Sequence, residues 1–209
     1  PFTTSTLQQE GFKSLGLDVD LVMQLAQSLY QQGFITYHRT DTPNLGVPAM
    51  IAVQAYLAEQ GKPVHDKQRT WAAKDGAQEA HEACRPSDLS LENAGSNQDE
   101  QRLYKLIRTR TLACQSANAV YSDNILHLQS GNFEFIAKGR TLISSGWKTI
   151  YNEAEDDVNK SNPNNPVPLI EKNTCITATS GRVLAKKTAP PSRYDQASLV
   201  KQLESEAIG

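Results

Sequence analysis

The residues best suited to chemistry lie together in the segment 34–41, where Tyr37, His38, Arg39 and Asp41 occupy four of five consecutive positions. In an extended backbone, side chains alternate, so Tyr37 and Arg39 would lie on the same side. A guanidinium there could bind a phosphate and offset the charge that develops during phosphoryl transfer. A phenol ordinarily has a pKa of about 10, so it needs a neighbouring cation, base or metal to act as a nucleophile. The segment is suited to phosphoryl-transfer chemistry, but residue types alone favour half-buried packing of Tyr37.

A second group of polar side chains occurs between residues 79 and 88, where His81 and Arg85 stand four positions apart. On a helical turn, the two side chains would share a face and could hold one phosphate together. The segment begins like the HExxH motif of zinc proteases, but Arg85 takes the place of the second histidine, which excludes that zinc site. Residue types alone favour a structural hydrogen-bonding role for His81 over a catalytic one.

Hydrophobic spacing predicts that helices position these segments in the N-terminal half of the chain. Apolar residues recur at helical spacing from Leu21 to Gln32, and Gly33 follows as a stop directly before the tyrosine segment. A second helix is predicted from Pro48 to Gly61, since proline suits a first turn. A long third helix is predicted from Asp99 to Tyr121, with Asn97 as its N-cap.

The third predicted helix carries arginines of two kinds. On a helical wheel, Lys105 and Arg108 fall on the polar side with Arg102 at the boundary, which gives a basic stripe. Arg110 falls near the middle of the apolar side, where burying an unpaired guanidinium costs on the order of several kcal/mol. Arg110 is therefore expected either to form a structural ion pair or to point into a functional cleft.

The C-terminal third of the chain has a different character. Alternation around Phe133 and Phe135, and again from Thr174 to Ala178, predicts strands beside turns. A loop is predicted over 159–168 between them, and a last helix begins at Asp195. The sequence thus predicts a helical part followed by a β-rich part and a further helical segment.

Composition narrows the class of protein further. The 209 residues are 38% hydrophobic and 21% charged, which favours a globular chain over disorder. No apolar run approaches the roughly 18 residues of a membrane span, and no segment resembles a signal peptide. The three cysteines lie far apart without a CxxC pair, so neither a disulfide framework nor a zinc finger is supported, and a reducing, cytoplasmic setting is expected. The net charge of −2 argues mildly against nucleic-acid binding, although basic residues cluster locally.

Taken together, several segments resemble the type IA DNA topoisomerases. The most informative are GFITYHRTD, which contains Tyr37, and QEAHEACRPS, which contains His81. Each block alone is weak, but the set is specific because its members occur in the family's order. The blocks cover most of the chain and comprise residues 1–9, 26–30, 33–41, 78–87, 112–115 and 190–209.

The resemblance implies roles for individual residues. Tyr37 matches the family's active-site tyrosine, which attacks a DNA phosphate and becomes linked to the 5′-phosphate of the cleaved strand. Arg39 matches the neighbouring arginine that stabilises the scissile phosphate, and His81 matches a histidine that contacts the DNA backbone near the cleavage site. Asp41 and Arg85 belong to the same motifs and are expected to help bind DNA.

Two further positions depart from the family pattern. Arg108 stands where many members carry an aromatic residue, and it is expected to contact DNA, as is Arg110 if it points into a cleft. His38 stands at a position that varies among members, with Met or Pro common. A protonatable contact of His38 with the phosphate is one alternative, and an exposed loop residue is the expectation.

The resemblance implies an α+β fold, with a mainly helical, winged-helix-like tyrosine domain over 1–121 and a partial antiparallel β domain over 122–189. Residues 190–209 would start the next helical region. Since the chain begins at Pro1 and ends at Gly209, it is expected to be a piece of a longer protein. Family members hold Mg²⁺ in a domain called Toprim, which is expected to lie outside this chain, so no metal is expected on these residues.

The expected activity of the longer protein is ATP-independent DNA relaxation by transient cleavage of one strand, passage of the other strand and religation. Its expected partners are single-stranded DNA and the other domains of the same chain, without a membrane. Two alternatives stay open: a noncatalytic DNA-binding module in which Tyr37 stacks or packs, and a phosphodiesterase that leaves permanent nicks. The segment alone is expected not to relax supercoiled DNA.

Overall fold

The computed structural model describes residues 1–72, 81–151 and 165–208. Within these ranges the chain forms α-helices and one antiparallel pair of strands, which confirms the α+β class expected from the sequence. No helix in the described ranges is long and apolar enough to cross a membrane. In chain order the elements are α1 Thr4–Leu15, α2 Val19–Gln31, α3 Val47–Glu59, α4 Gln98–Cys114, β1 Val120–Ser130, β2 Phe133–Ser144, a 3₁₀ helix Gly146–Thr149 and α5 Gln196–Ser205.

The turn after α2 determines where the tyrosine segment starts, and Gly33 makes it in the way the sequence predicts. Gly33 has a φ of 78°, a backbone conformation that residues with a Cβ rarely adopt. The amide of Phe34 then donates to the carbonyl oxygen of Leu29 at 3.0 Å, which closes the helix end. The chain therefore leaves α2 directly into the segment that carries Tyr37.

Two hydrophobic clusters hold the helices together. The larger cluster joins α1, α2 and α4 and includes the buried side chains of Leu7, Val22 and Leu103. It also contains Ile35, so the backbone just before Tyr37 is anchored in the core. Burying one such aliphatic side chain contributes roughly 1.5–3 kcal/mol. A smaller cluster packs α3 against the end of α4.

β1 and β2 form a two-stranded antiparallel ribbon that is paired from Val120–Ser144 to Ser130–Phe133. The return of the ribbon to the helical part depends on Gly146, which has a φ of 46°. A Cβ on Gly146 would lie 2.2 Å from the carbonyl oxygen of Asn118, closer than non-bonded atoms approach. Glycine is therefore required where the chain re-enters the helical part.

The predicted end of the third helix is wrong. α4 stops at Cys114 rather than at Tyr121, because the next residues use their polar side chains on another segment. Buried Gln115 donates from its Nε2 to the carbonyl oxygen of Arg69 at 2.9 Å, and buried Ser116 donates to that of Pro63 at 2.6 Å. These bonds tie Gln115 and Ser116 to the segment after α3, so the helix ends before them and the chain continues into β1.

Other predicted elements also differ from the structure. Helix α1 was not among the predicted elements. The strand predicted from Thr174 to Ala178 is wrong, because this exposed stretch pairs with no described strand. The predicted loop over 159–168 lies mostly outside the described residues. Within its described part, Asn165 forms an isolated bridge with Arg140. The division into domains at 121 and 189 stays a prediction, as does the winged-helix likeness.

Candidate active site

Extended segments that meet beside the end of α2 carry the candidate site residues. Ile35 pairs with Pro86 through an isolated β-bridge, and the amide of Thr36 donates to the carbonyl oxygen of Arg85 at 2.8 Å. The segment that follows His81 is therefore extended and tied to the tyrosine segment by backbone bonds. The helical turn considered for His81 and Arg85 is wrong, because this backbone pairs with a neighbour instead of with itself.

Thr4, the first residue of α1, fixes the backbone after Tyr37. Its amide donates to the carbonyl oxygen of Thr40 at 2.8 Å, and the amide of Thr40 donates to the Thr4 hydroxyl at 2.9 Å. The same hydroxyl lies 3.2 Å from the carbonyl oxygen of His38. Because Ile35 is anchored in the core and Thr40 is clamped to α1, the loop that carries Tyr37 is held at both ends.

The phenol ring of Tyr37 is packed among three other rings while its side chain stays 37% exposed. Its centroid lies 5.4 Å from that of Tyr30, 5.6 Å from that of His38 and 5.3 Å from that of His81. The planes of Tyr30 and His38 are inclined to it by 68° and 63°, the edge-to-face arrangement that aromatic pairs favour. Tyr37 is therefore supported on several sides and still reaches solvent.

Three of the predicted site residues, Arg39, Asp41 and His81, line one open cleft of about 790 Å³, which we call the α5 cleft. All three side chains are exposed. The ring of His81 also contacts Tyr37, so it connects the cleft to the phenol. The other walls come from α1 and α5 and are formed by Thr3, Thr4, Ser5, Gln8, Thr40, Val200, Leu203, Glu204, Ala207 and Ile208.

His38 is fully buried, which corrects the expectation of an exposed loop residue. Neither ring nitrogen makes a hydrogen bond with a described residue, and the ring lies 5.9 Å from Tyr30 between centroids. Burial, and to a lesser extent the Arg39 cation, lowers the pKa of His38 because both disfavour the charged ring. Its burial was missed because a polar loop carries no hydrophobic period that would mark one imidazole as internal.

Arg85 lies away from His81, in a different environment. Its guanidinium forms an ion pair with Glu82 at 2.8 Å and donates to the carbonyl oxygen of Pro86 at 2.9 Å. Glu82 in turn accepts a hydrogen bond from the amide of Gly46, just before α3. Arg85 lines a separate cleft beside α3, so the two side chains do not grip one phosphate, and a DNA contact of Arg85 stays a prediction.

Arg108 is held by its neighbours within the fold. Its Nη2 donates to the Tyr56 hydroxyl at 2.8 Å and to the carbonyl oxygen of Leu89 at 3.0 Å. Its guanidinium also lies 5.5 Å from the centroid of the Tyr56 ring, within the range of a cation–π contact. The basic stripe on α4 is thus partly used for packing against α3, and its contact with DNA stays a prediction.

Arg110 contacts aromatic rings and lines a cavity, as expected for a residue that points into a cleft. Its guanidinium lies 5.0 Å from the centroid of Tyr151 and 5.5 Å from that of Phe2, so aromatic faces stabilise its charge. It also lines a cavity of about 320 Å³ with Arg69 and Trp71. This cavity is separate from the α5 cleft, and a DNA contact there is untested.

The donors for a magnesium site are not found in the described part of the chain. Mg²⁺ prefers an octahedral set of oxygen ligands. Across residues 1–72, 81–151 and 165–208, no three His, Cys, Asp or Glu side chains come together in a way that could hold a metal ion.

Sequence reasoning missed two contributions to the site. Tyr30, in the last turn of α2, supports the Tyr37 ring, and α5 forms a wall of the cleft although it lies far away in the sequence. The signal for Tyr30 was its place in the family block 26–30. The placement of α5 depends on its packing against α1, where the Ser5 hydroxyl donates to Glu204 at 2.5 Å.

Comparisons with known proteins agree over the whole chain. A family model described as DNA topoisomerase matches residues 1–209. The chain is 44% identical to "DNA topoisomerase I, plasmid" of Xylella fastidiosa and 38% identical to DNA topoisomerase 1 of Pseudomonas aeruginosa. These alignments cover 100% of this chain but only 33% and 24% of the two relatives.

A solved structure gives the same result for the fold. The full-length topoisomerase I from Thermotoga maritima matches 100% of this chain and 35% of its own, with a TM-score of 0.75 and 28% sequence identity. The chain therefore spans about a third or less of the relatives described here. Because the family model matches from the first residue to the last, and whole-chain likeness in sequence and structure accompanies it, the chain belongs to the type IA DNA topoisomerases.

Proposed function

We propose that this chain is the tyrosine-bearing segment of an enzyme that relaxes DNA by cutting and rejoining one strand, with Tyr37 as the nucleophile. The observation that carries the proposal is the placement of Tyr37: a partly exposed phenol that touches His81, next to a cleft that Arg39 and His81 line. Family membership supports DNA as the substrate class.

In the proposed cleavage step, the phenolic oxygen of Tyr37 attacks the phosphorus of a phosphodiester in one DNA strand. A Tyr37–phosphorus bond forms while the bond from phosphorus to the 3′ oxygen of the preceding nucleotide breaks. The phenol loses its proton to solvent or a base, and the departing 3′ oxygen gains one. One phosphodiester replaces another, so attack by the 3′ hydroxyl reverses the step without ATP.

Arg39 is proposed to bind the phosphate that Tyr37 attacks. Its guanidinium can donate two parallel hydrogen bonds to phosphate oxygens and stabilise charge that grows in the transition state. His81, whose ring contacts that of Tyr37, can donate a further hydrogen bond to the same phosphate. Asp41 and Glu204 also line the cleft, so its surface is not broadly positive. Arg39 and His81 must therefore supply the attraction for phosphate.

Single-stranded DNA is the form of substrate that the site supports best. Tyr30 is 40% exposed and lies next to Tyr37, so it offers an aromatic surface to an unpaired base. Stacking on such rings does not depend on base identity, and it is available only where bases are not paired. We therefore propose that the strand enters the α5 cleft unpaired, with a base near Tyr30.

Covalent capture tests this function. The chain is mixed with a separately prepared Toprim domain, Mg²⁺ and a single-stranded oligonucleotide labelled at one end or the other, and the products are run on a denaturing gel. We expect the 3′-labelled fragment to migrate with the protein and the 5′-labelled fragment to run free with a 3′ hydroxyl. DNA that binds only under native conditions would indicate the binding-module alternative, and free fragments for both labels would indicate a phosphodiesterase.

Replacing Arg39 with lysine should lower the rate of adduct formation strongly while leaving the fold intact. Lysine keeps the charge but loses the two-pronged donor geometry, and removing one such transition-state donor costs on the order of 10²–10³-fold in rate. The measurement is the time course of covalent capture at saturating DNA.

Arg140→Lys is the matched control for Arg39→Lys. Arg140 lies on β2, where it pairs with Asp123, and it does not line the α5 cleft. The same arginine-to-lysine change should therefore leave the capture rate within about twofold of the original, as expected for a surface substitution. Equal loss in both variants, or no loss in Arg39→Lys, would contradict the role given to Arg39.

A further inference from the structure

We propose that His38 is a positioning residue for Tyr37, whose buried imidazole forms the support against which the phenol is oriented. The proposal rests on the function proposed for Tyr37, because it concerns how that phenol is presented. It assigns a task to a side chain that takes no part in the cleavage step described above.

Burial and two ring contacts place the His38 ring beside Tyr37. The side chain is 0% exposed, and its centroid lies 5.6 Å from Tyr37 and 5.9 Å from Tyr30. Tyr30 and Tyr37 also contact each other at 5.4 Å, so the three rings form a closed triangle. A displacement of one ring in this triangle therefore changes the contacts of the other two.

The backbone prevents His38 from adjusting freely. The Thr4 hydroxyl lies 3.2 Å from its carbonyl oxygen, and Thr40, two residues later, is bonded to Thr4 through the amides and the hydroxyl. α1 thus fixes the backbone of this short stretch, and packing against Tyr30 and Tyr37 holds the imidazole itself. The ring is therefore a fixed element of the site.

The imidazole differs from a hydrocarbon support in that it can gain a proton. Both ring nitrogens lack a hydrogen-bond partner among the described residues, so packing alone holds the ring. The charged group near it is Arg39, and the titratable rings around it are Tyr30 and Tyr37, with His81 also in contact with Tyr37. A proton on His38 would place a second cation beside Arg39 in a buried position.

The direction of the pH effect follows from these surroundings. Burial and Arg39 lower the pKa of His38, so the folded protein binds this proton less readily than the unfolded chain does. The packed triangle is therefore fully formed with the ring neutral and is disrupted as the pH falls through the folded-state pKa. Acid should move the Tyr37 ring before the whole chain unfolds.

An NMR titration of the 209-residue chain, with the histidine and tyrosine rings labelled, tests the proposal. We expect His38 to titrate with a midpoint below the ordinary histidine value of about 6.5, and the Tyr37 ring signals to shift with the same midpoint. The amide spectrum, recorded at each pH, reports that the chain is still folded. This readout does not need DNA cleavage, so it can succeed or fail independently of the proposed function.

Three variants assign the shift. His38→Phe keeps a buried aromatic ring that cannot titrate, so the Tyr37 shift at that midpoint should be lost, and His38→Gln serves the same comparison if the phenylalanine is not accommodated. His127→Gln removes an exposed histidine on β1 and is the matched control, in which the shift should persist. His81→Gln removes the other imidazole that touches Tyr37, and the shift should persist there too.

Two results would overturn the proposal. One is a Tyr37 shift that survives both His38 variants. The other is a shift that disappears in His81→Gln, which would assign the coupling to His81 instead. In the covalent-capture assay, the supporting result is an adduct yield that falls with acid in the unchanged chain but stays level through the same range in His38→Phe.

Discussion

Replacing Tyr37 with phenylalanine should abolish the covalent DNA–protein adduct. The substitution removes only the phenolic oxygen, which is the atom that must form the bond to phosphorus. The ring and its contacts with Tyr30, His38 and His81 can remain, because these contacts are made between ring faces and edges. We expect a loss of at least about 10⁴-fold in captured label, since no other side chain can replace a covalent nucleophile. Binding of single-stranded DNA should be nearly unchanged.

Tyr30→Phe is the matched control for this experiment. Tyr30 is 40% exposed, close to the 37% of Tyr37, and its ring lies 5.4 Å away, so the same oxygen is removed from the same neighbourhood. The adduct should form at a rate similar to that of the unchanged chain. If Tyr37→Phe still captured DNA, or if only Tyr30→Phe lost the adduct, the assignment of the nucleophile would be wrong.

Proximity along the sequence made part of the candidate site predictable. Tyr37, Arg39 and Asp41 lie within one short segment after a glycine stop, so local spacing was enough to propose that they act together. The approach of His81 was expected only through the family resemblance. In the structure, backbone bonds between Thr36 and Arg85 show how the two distant segments are joined.

Tertiary contacts account for the site residues whose environment was predicted wrongly from the sequence. His38 and Arg39 are neighbours with similar polarity, yet one is fully buried and the other exposed. The difference follows from the packing of α2 and the clamp at Thr4, and neither leaves a pattern in the loop itself. Arg85 likewise stands in a motif that matches the family, but its guanidinium forms an ion pair with Glu82 within the fold.

The fold shows the same division between local and distant causes. The helical spacing of apolar residues marked α2 closely, because one face of that helix must be buried. The same spacing continued past the true end of α4, where hydrogen bonds from Gln115 and Ser116 to a distant segment override it. A pattern of apolar residues therefore predicts which face is buried better than where an element ends.

Replacing Glu100 with alanine should destabilise the helical part by about 3 kcal/mol, in the range found when one member of a buried polar network is removed. Glu100 is only 4% exposed, and its carboxylate joins α2 to α4. It accepts hydrogen bonds from the Ser28 hydroxyl at 2.8 Å, the Gln32 side chain at 3.1 Å and the amide of Ser96 at 2.6 Å. Alanine would remove the acceptor that these donors share and leave a gap between α2 and α4, where the Ser28 hydroxyl is half-buried. The measurement is the free energy of unfolding in urea at pH 7.

The cost of Glu100→Ala should depend on pH. Burial alone would raise the pKa of Glu100, but the hydrogen bonds from Ser96, Ser28, Gln32 and Asn97 outweigh it and lower the pKa. The unfolded carboxyl has an ordinary pKa of about 4.3, so the stabilisation is fully present above that pH and is lost as the pH falls through the folded-state pKa. The gap in unfolding free energy between the original chain and Glu100→Ala should therefore narrow in acid. Asp99→Ala, at an exposed ion pair with Arg102, is the control and should cost less than about 1 kcal/mol. A gap that stayed constant down to pH values well below 4 would show that Glu100 acts through packing and not through its charge.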